Sequence, residues 1–334
     1  MAAMHAAIFD PRRRSALAGG AAAIALAMLG GRAQAQAWPS KPVRLLLGYT
    51  PGGSSDILAR ELSVPLGKLL GQPVVVDYKP GASGTIAASE VARSAPDGHT
   101  LGLLDNAPLT IVPSLRNPGY DSVAGFTPIA MATQLPQVLV VPGTSGIRST
   151  RELIEAMRKE PGKLSYGSGG AGSVSHLAGE LLKLRTGTFA VHVPYRGAVP
   201  AITALIAGDV QFAFLTYTGT SSFIASGRLR AIGVSSLQRL PAVPDVPTVA
   251  ESGVPNFDAP GWFALMGPAG LPPPVTATMR KALAEVLATP AVVARMQELG
   301  QTVVAGQADV ARTIANELAM WKQLVAQRKI VIDG

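Results

Sequence analysis

Short apolar runs alternate with stretches in which apolar residues recur every three or four positions, and the alternation holds from residue 43 into the last third of the chain. The short runs predict strands at 43–48, 74–77, 100–104, 138–141, 164–166, 190–193, 210–215 and 229–234. Between them, Leu58, Leu62, Leu66 and Leu69 mark one helical stripe, and Val174, Leu177, Ala178, Leu181 and Leu182 mark another. Strand and helix in turn predict an α/β fold of mixed, mostly parallel sheets flanked by helices.

Punctuation supports the boundaries. Pro96-Asp97-Gly98 is a turn, with proline presetting φ at the first central position and glycine tolerating the left-handed backbone that closes it. Ser149-Thr150-Arg151-Glu152 is a capping box opening a helix. Pro65 is a misfit, since it removes a backbone bond inside the first helix and predicts a kink. The stretch from Leu240 to Pro247 carries too many prolines for a central strand and reads as a surface connection.

Two glycine-rich loops stand between a predicted strand and a helix. The first is Thr50-Pro51-Gly52-Gly53-Ser54-Ser55-Asp56, and the second runs from Tyr166 through Ser168, Gly169 and Gly170 to Ser173. Such loops bare backbone N–H groups at a positive helix end and make seats for an anion. Two seats on separate halves of one chain suggest a clamp around a small acid. A third loop, Lys79-Pro80-Gly81-Ala82-Ser83-Gly84-Thr85, has the same placement. Hydroxyls at Ser54, Ser83, Ser168 and Ser173 would meet a carboxylate without adding charge. Asp56 reads more naturally as a helix cap, because a second carboxylate repels an acid unless it takes an ammonium group.

Arg12-Arg13-Arg14 ahead of an uncharged Ala/Gly-rich run, with Ala33-Gln34-Ala35 and Ala35-Gln36-Ala37 beyond it, read as an export signal over 1–37, of the general or the twin-arginine kind. The run is too short for a membrane anchor. The 334-residue chain has no cysteine, which excludes disulfides, thiolate metal sites and a lipid-anchored N-terminus. Removal of the signal takes four arginines and one aspartate with it, so a net charge of +8 becomes +5, a mild bias toward anions. Nucleic-acid binding is not expected, since the basic residues lie in scattered doublets without interleaved aromatics.

Enzyme motifs match poorly. Gly167 to Gly172 satisfies G-x-G-x-x-G, yet the next predicted strand ends in Pro194-Tyr195-Arg196 rather than an acid; Arg196 leaves only an NADP-type reading open. No P-loop, nucleophile elbow or zinc-protease motif occurs. Ser173 and His176, one helical turn apart, leave open an exported hydrolase-like enzyme, although no acid stands nearby to orient the imidazole. His99 is expected at the surface and His192 in the core.

Six segments together resemble one known family. They are Trp38 to Val43, Pro51 to Arg60, Lys79 to Gly84, Pro96 to Leu101, His192 to Gly197 and Pro244 to Gly253, in register over essentially the whole chain after the signal. They look like the Bug receptors, the extracytoplasmic solute-binding proteins of tripartite tricarboxylate transporters. The resemblance implies a two-lobe type II periplasmic-binding-protein fold with the ligand between lobes. The first lobe would be 38–136 and 260–334 and the second 137–259, with crossings near 134–138 and 257–262. It implies a periplasmic monomer, not embedded in the membrane, that takes a small carboxylate and passes it to integral-membrane transporter subunits, with no cofactor and no metal; a sensor serving a membrane signalling protein is the other use of such lobes. The implied ligand contacts are Thr50, Pro51, Gly52, Gly53 and Ser54 with Ala82, Ser83 and Gly84 at one end, and Ser168, Gly169, Ser173, His176, Tyr195 and Tyr217 at the other. Two departures, Tyr49-Thr50 before the first loop and Asp77-Tyr78 before the third, suggest that Tyr49, Tyr78 and Tyr217 shape a pocket for an aromatic or bulkier acid.

Overall fold

Strand β1 (Val43–Leu47) runs parallel to β2 (Val74–Tyr78) on one side and to β3 (Thr100–Asp105) on the other. Parallel neighbours need a crossover, and helices α1 (Ser54–Leu70) and α2 (Thr85–Arg93) supply them. The computed structural model describes residues 38–304 and 309–330. The expected export signal lies outside the described residues. In α1, Leu58, Leu62 and Leu66 are buried, but Leu69 is 46% exposed, so the apolar stripe leaves the core before the helix ends. Pro65 sits within that single helical span. Gly98 at φ 79° makes the expected turn, with Asp97 Oδ1 accepting from His99 N–H. The His99 side chain is only 11% exposed, so it is not the surface residue the sequence suggests.

After β3 a π-helical turn, Ala107–Ile111, runs into the short α3 (Val112–Leu115), and the chain then enters β4 (Phe126–Leu135), a strand the hydrophobic pattern does not mark. Its partner β10 (Gly261–Pro268) arrives from the far end of the sequence, antiparallel to both β3 and β4. With the short β11 (Thr302–Val303) the order is β11-β4-β10-β3-β1-β2. The second sheet has the order β7-β6-β8-β5-β9. Here β6 (Ser165–Ser168) is parallel to β7 (Val191–Pro194) and β8 (Phe212–Thr216). By contrast β5 (Gln137–Pro142) is antiparallel to β8 and to β9 (Leu229–Val234). The sheets are mixed, but parallel pairs do not predominate. The strands beside the two passages between sheets, at 136 and at 235–260, pair antiparallel because the chain enters each sheet from the other one.

The central strands β5 and β8 of the second sheet are covered on both faces, which is why they are almost wholly apolar. Leu139, Val141, Phe212 and Phe214 pack into one core, while Val138, Val140, Ala213 and Leu215 pack into the other. The helices on these faces are α4 (Thr150–Lys159), α5 (Val174–Thr186), α6 (Ala198–Ala207) and α7 (Tyr217–Ala225). Ser149 caps α4 as expected, its Oγ accepting from Glu152 N–H; the returning Glu152 carboxylate takes Arg148 N–H, one residue before the cap. Helices α8 (Pro273–Leu287) and α9 (Pro290–Glu298) lead to β11 and then to α10 (Val310–Arg328). Helix α10 serves both sheets. Val310 and Ile314 join the core with Leu46, Met131 and Trp262, whereas Trp321 and Leu324 join the core with Tyr166 and Phe212. Each such side chain contributes roughly 1.5–3 kcal/mol by burial.

Candidate functional site

The carboxyl ends of the strands and the turns beyond them enclose a cleft of about 590 Å³, lined from both sheets. That is within the usual size for a small-molecule site. The first turns of three helices line it: Gly53, Ser54 and Ser55 of α1, Ser173, Val174 and Ser175 of α5, and Gly197, Ala198 and Val199 of α6. No side chain caps α1 or α6. Unsatisfied N–H groups and the positive ends of the helix dipoles therefore meet at one place. No lysine or arginine lines the cleft among the described residues.

The first loop is held from its outer side. Asp56 Oδ2 accepts from Gly52 N–H at 2.8 Å, and Oδ1 accepts from Arg60 Nε at 2.8 Å and from the Tyr78 hydroxyl. Burial works to raise the Asp56 pKa, but these three hydrogen bonds outweigh it and hold the carboxyl below its ordinary value. Gly52, at φ 95°, adopts a backbone that suits glycine. The third loop packs at close range on the end of β1 that leads into the first. A Cβ on Gly48 would lie 2.5 Å from the Gly84 backbone. Residues 81–84 have φ of 129°, 47°, 55° and 82°, a run of left-handed backbone that includes the non-glycines Ala82 and Ser83 and marks stored strain beside the site.

The second loop is held from within. Tyr166 and Ser168 are two residues apart in β6, so both side chains point to the face under α5. Ser168 Oγ donates to Gly170 O, accepts from Gly170 N–H and shares a 2.7 Å hydrogen bond with His192 Nε2. His192 stacks on Tyr166 and on His176, the two imidazole centroids being 3.9 Å apart. His176 Nδ1 accepts from Gly172 N–H, which leaves its proton on Nε2. Burial lowers the pKa of His176 to about 4 and that of His192 to about 3, so both rings are neutral at pH 7. Under them Glu180 accepts from Tyr166 hydroxyl, Lys183 and Arg328. On the cleft side Ser175 Oγ accepts from Gly169 N–H, and Ser173 Oγ accepts from His176 N–H while donating to Gly170 O.

Between the loops lie residues from the passages between sheets and the end of β3. Asp105 Oδ2 accepts from the Tyr49 hydroxyl at 2.7 Å. Burial raises the Asp105 pKa to about 7, against the opposing pull of that hydroxyl and of its own backbone N–H. Asn106 Nδ2 donates to Pro260 O. Trp262, on the cleft wall, donates from its indole to Glu317 Oε1 at 2.6 Å, and Thr110 donates to Glu317 Oε2 at 2.7 Å. Among the described residues, no group of three His, Cys, Asp or Glu side chains is arranged to hold a metal ion.

A family model described as "Tripartite tricarboxylate transporter family receptor" matches residues 58–330. The chain belongs to this receptor family. It is 38% identical over 325 residues, 95% of either chain, to a "UPF0065 protein in tcbD-tcbE intergenic region" of Pseudomonas sp. (strain P51). It is 36% identical over 307 residues to Protein BugT of Bordetella pertussis, covering 91% of this chain and 94% of that one. Solved structures agree. Periplasmic binding protein BugD matches with TM-score 0.75 at 33% identity over 88% of this chain and 99% of its own. An R. palustris protein solved with adipate matches with TM-score 0.78 at 31% identity, 88% and 99% covered. MatC of Rhodopseudomonas palustris, with bound malate, matches with TM-score 0.75 at 30% identity, 86% and 100% covered. The receptor thus has the two-lobe fold of the periplasmic binding proteins, and its relatives are binding proteins rather than enzymes. No helix among the described residues is long and apolar enough to cross a membrane.

Eight of the residues singled out in the sequence line the receptor's cleft: Tyr49, Thr50, Gly52, Gly53, Ser54, Ser83, Gly169 and Ser173. The other eight do not. Pro51, Ala82 and Gly84 belong to the loop backbones; Asp56, Ser168 and His176 turn into the networks that hold those loops. Tyr195 and Tyr217 pack on the α6 face of the second sheet, and Thr216 reaches the cleft in place of Tyr217. Tyr78 is likewise committed to Asp56. His176 contacts Ser173 through its backbone N–H, not its imidazole, so the two are not arranged as base and nucleophile. Sequence reasoning missed the α6 terminus, although Gly197 before an Ala/Ile/Leu-rich run was its signal, and it missed Asp105, Asn106, Gln137 and Trp262.

Proposed function

We propose that the receptor is exported, captures a small organic acid between its lobes and passes it to integral-membrane transporter subunits. The observation that carries this reading is the meeting of three helix N-termini in a cleft without a cationic side chain. Such a site holds a carboxylate through backbone N–H groups and hydroxyls. Adipate and malate in two of the solved relatives support the ligand class. The lobes of this reading are 38–136 with 260–334 and 137–259, in keeping with the distribution of strands between the two sheets. Capture needs only a closed state that the acid binds better than the open one.

The test is the melting midpoint of the purified protein against mono-, di- and tricarboxylates, acidic amino acids and aromatic acids. An acid at a hundred times its dissociation constant stabilises the fold by about 2.7 kcal/mol and raises the midpoint by several degrees. A flat response across the panel, on protein shown by mass spectrometry to hold no ligand, contradicts the reading.

A further inference from the structure

The cleft offers two kinds of group at two places. Helix N-termini and hydroxyls donate, whereas Asp105 and Asn106, adjacent at the end of β3, present acceptors. Each keeps one side-chain oxygen without a donor from another residue, although the Asp105 carboxyl also takes its own backbone N–H and the Asn106 amide also bonds Glu317. The Asp105 carboxyl receives the Tyr49 hydroxyl at Oδ2, and no other residue donates to its buried Oδ1. Asn106 is fully buried, and its orientation is fixed because Pro260 O can only accept, so the amide nitrogen must face it. Asn106 Oδ1 is then left buried without a donor. Buried polar atoms in native proteins are nearly always satisfied, and an exception at a binding site asks for a partner that comes with the ligand. Two neighbouring acceptors in a cleft otherwise furnished with donors specify that partner as a donor.

We propose that the receptor selects acids that also carry a hydrogen-bond donor, an ammonium or hydroxyl group, which meets the unpartnered oxygens of Asp105 and Asn106 while the carboxylate meets the helix N-termini. The inference rests on the cleft being the ligand site, and it makes Asp105 and Asn106 the specificity-determining residues. The charged state of Asp105 adds to it. The titratable groups that bear on this carboxyl are the Tyr49 and Tyr120 hydroxyls, both shifted upward and therefore neutral near pH 7. An ammonium group would be the missing counter-charge, and a hydroxyl would serve with either form of the acid.

Calorimetric titration of the purified protein with matched acids tests this: propionate, lactate and alanine; succinate, malate and aspartate; adipate and 2-aminoadipate; benzoate and 4-hydroxybenzoate. Within the skeleton that fits, the donor-bearing member is expected to bind at least tenfold more tightly than the plain acid. Asp105→Asn keeps an acceptor for Tyr49 and puts an amide NH2 where Oδ1 stood, so it should reduce that preference to threefold or less. Raising the pH from 6 to 8 should strengthen an ammonium-bearing ligand and weaken its plain partner. Equal binding of plain and donor-bearing acids overturns the specificity and leaves the cleft reading intact. Binding of none of these acids, with the midpoint also flat across the wider panel, overturns both. The series on the unmodified protein decides even if the variant fails to fold.

Discussion

The first and second glycine loops present the same chemistry to the cleft and are built in opposite ways. The first is secured by a charged carboxylate whose partners, Arg60 and Tyr78, lie toward solvent, Arg60 being 64% exposed. The second is secured by neutral imidazoles, Ser168 and Tyr166, packed between the sheet and α5, with a buried Glu180 that binds Lys183 and Arg328. A loop that bares its N–H groups must be kept from collapsing onto its own helix, and either surface charge or a buried polar stack achieves it. What differs is the sensitivity of each support.

Identical chemistry removed from each support should therefore have unequal effects. Glu180→Gln leaves Lys183 and Arg328 without a counter-charge in the interior and should cost about 3–5 kcal/mol, read from urea unfolding. The pH response comes next. Because burial depresses the folded pKa values of His176 and His192, below pH 6.5 the unfolded chain binds more protons than the folded one. The second support is thus fully in force above pH 6.5 and is lost as pH falls toward about 4. Asp105 works the other way, since its raised pKa makes the fold more stable as pH falls below about 7. The imidazole share must be isolated as the difference between native protein and His192→Phe, which keeps a stacked ring. That difference should shrink by about 3 kcal/mol between pH 7 and pH 4; a flat difference would contradict neutral, buried rings.

Asp56→Asn should have the smallest effect, about 1 kcal/mol, because water replaces much of what the exposed Arg60 loses. It should nevertheless weaken ligand binding several-fold by freeing Gly52, without changing the pH response between 6.5 and 4. A larger stability loss from Asp56→Asn than from Glu180→Gln would reverse the comparison.

The alternation of strand and helix was legible because six of the eight marked strands, β1 to β3 and β6 to β8, make parallel pairs that require a crossover between them, and β5 and β9 are short apolar runs beside helices. Strands β4 and β10 were not. Pro128 interrupts the apolar pattern of the first, which runs straight into β5 with no helix between, and the second is bracketed by Gly261 and Pro268 and pairs only antiparallel. The loop backbones of the site were legible from glycine and serine content. Which side chains face the cleft was not, because that depends on parity within a strand: Ser168 shares a face with Tyr166 and is carried inward. Asp105 was invisible for another reason. Its meaning comes from Tyr49, 56 residues away, and from the lack of a second donor.

The central claim is that an acid joins the two loops across the cleft. Since the chain has no cysteine, paired spin labels can be placed uniquely, at Val64→Cys on α1 and Lys163→Cys just before β6, both exposed positions. The account predicts that an acid which raises the melting midpoint shortens and narrows the distance distribution between the labels. An acid that binds and stabilises the protein while leaving that distribution unchanged would contradict it.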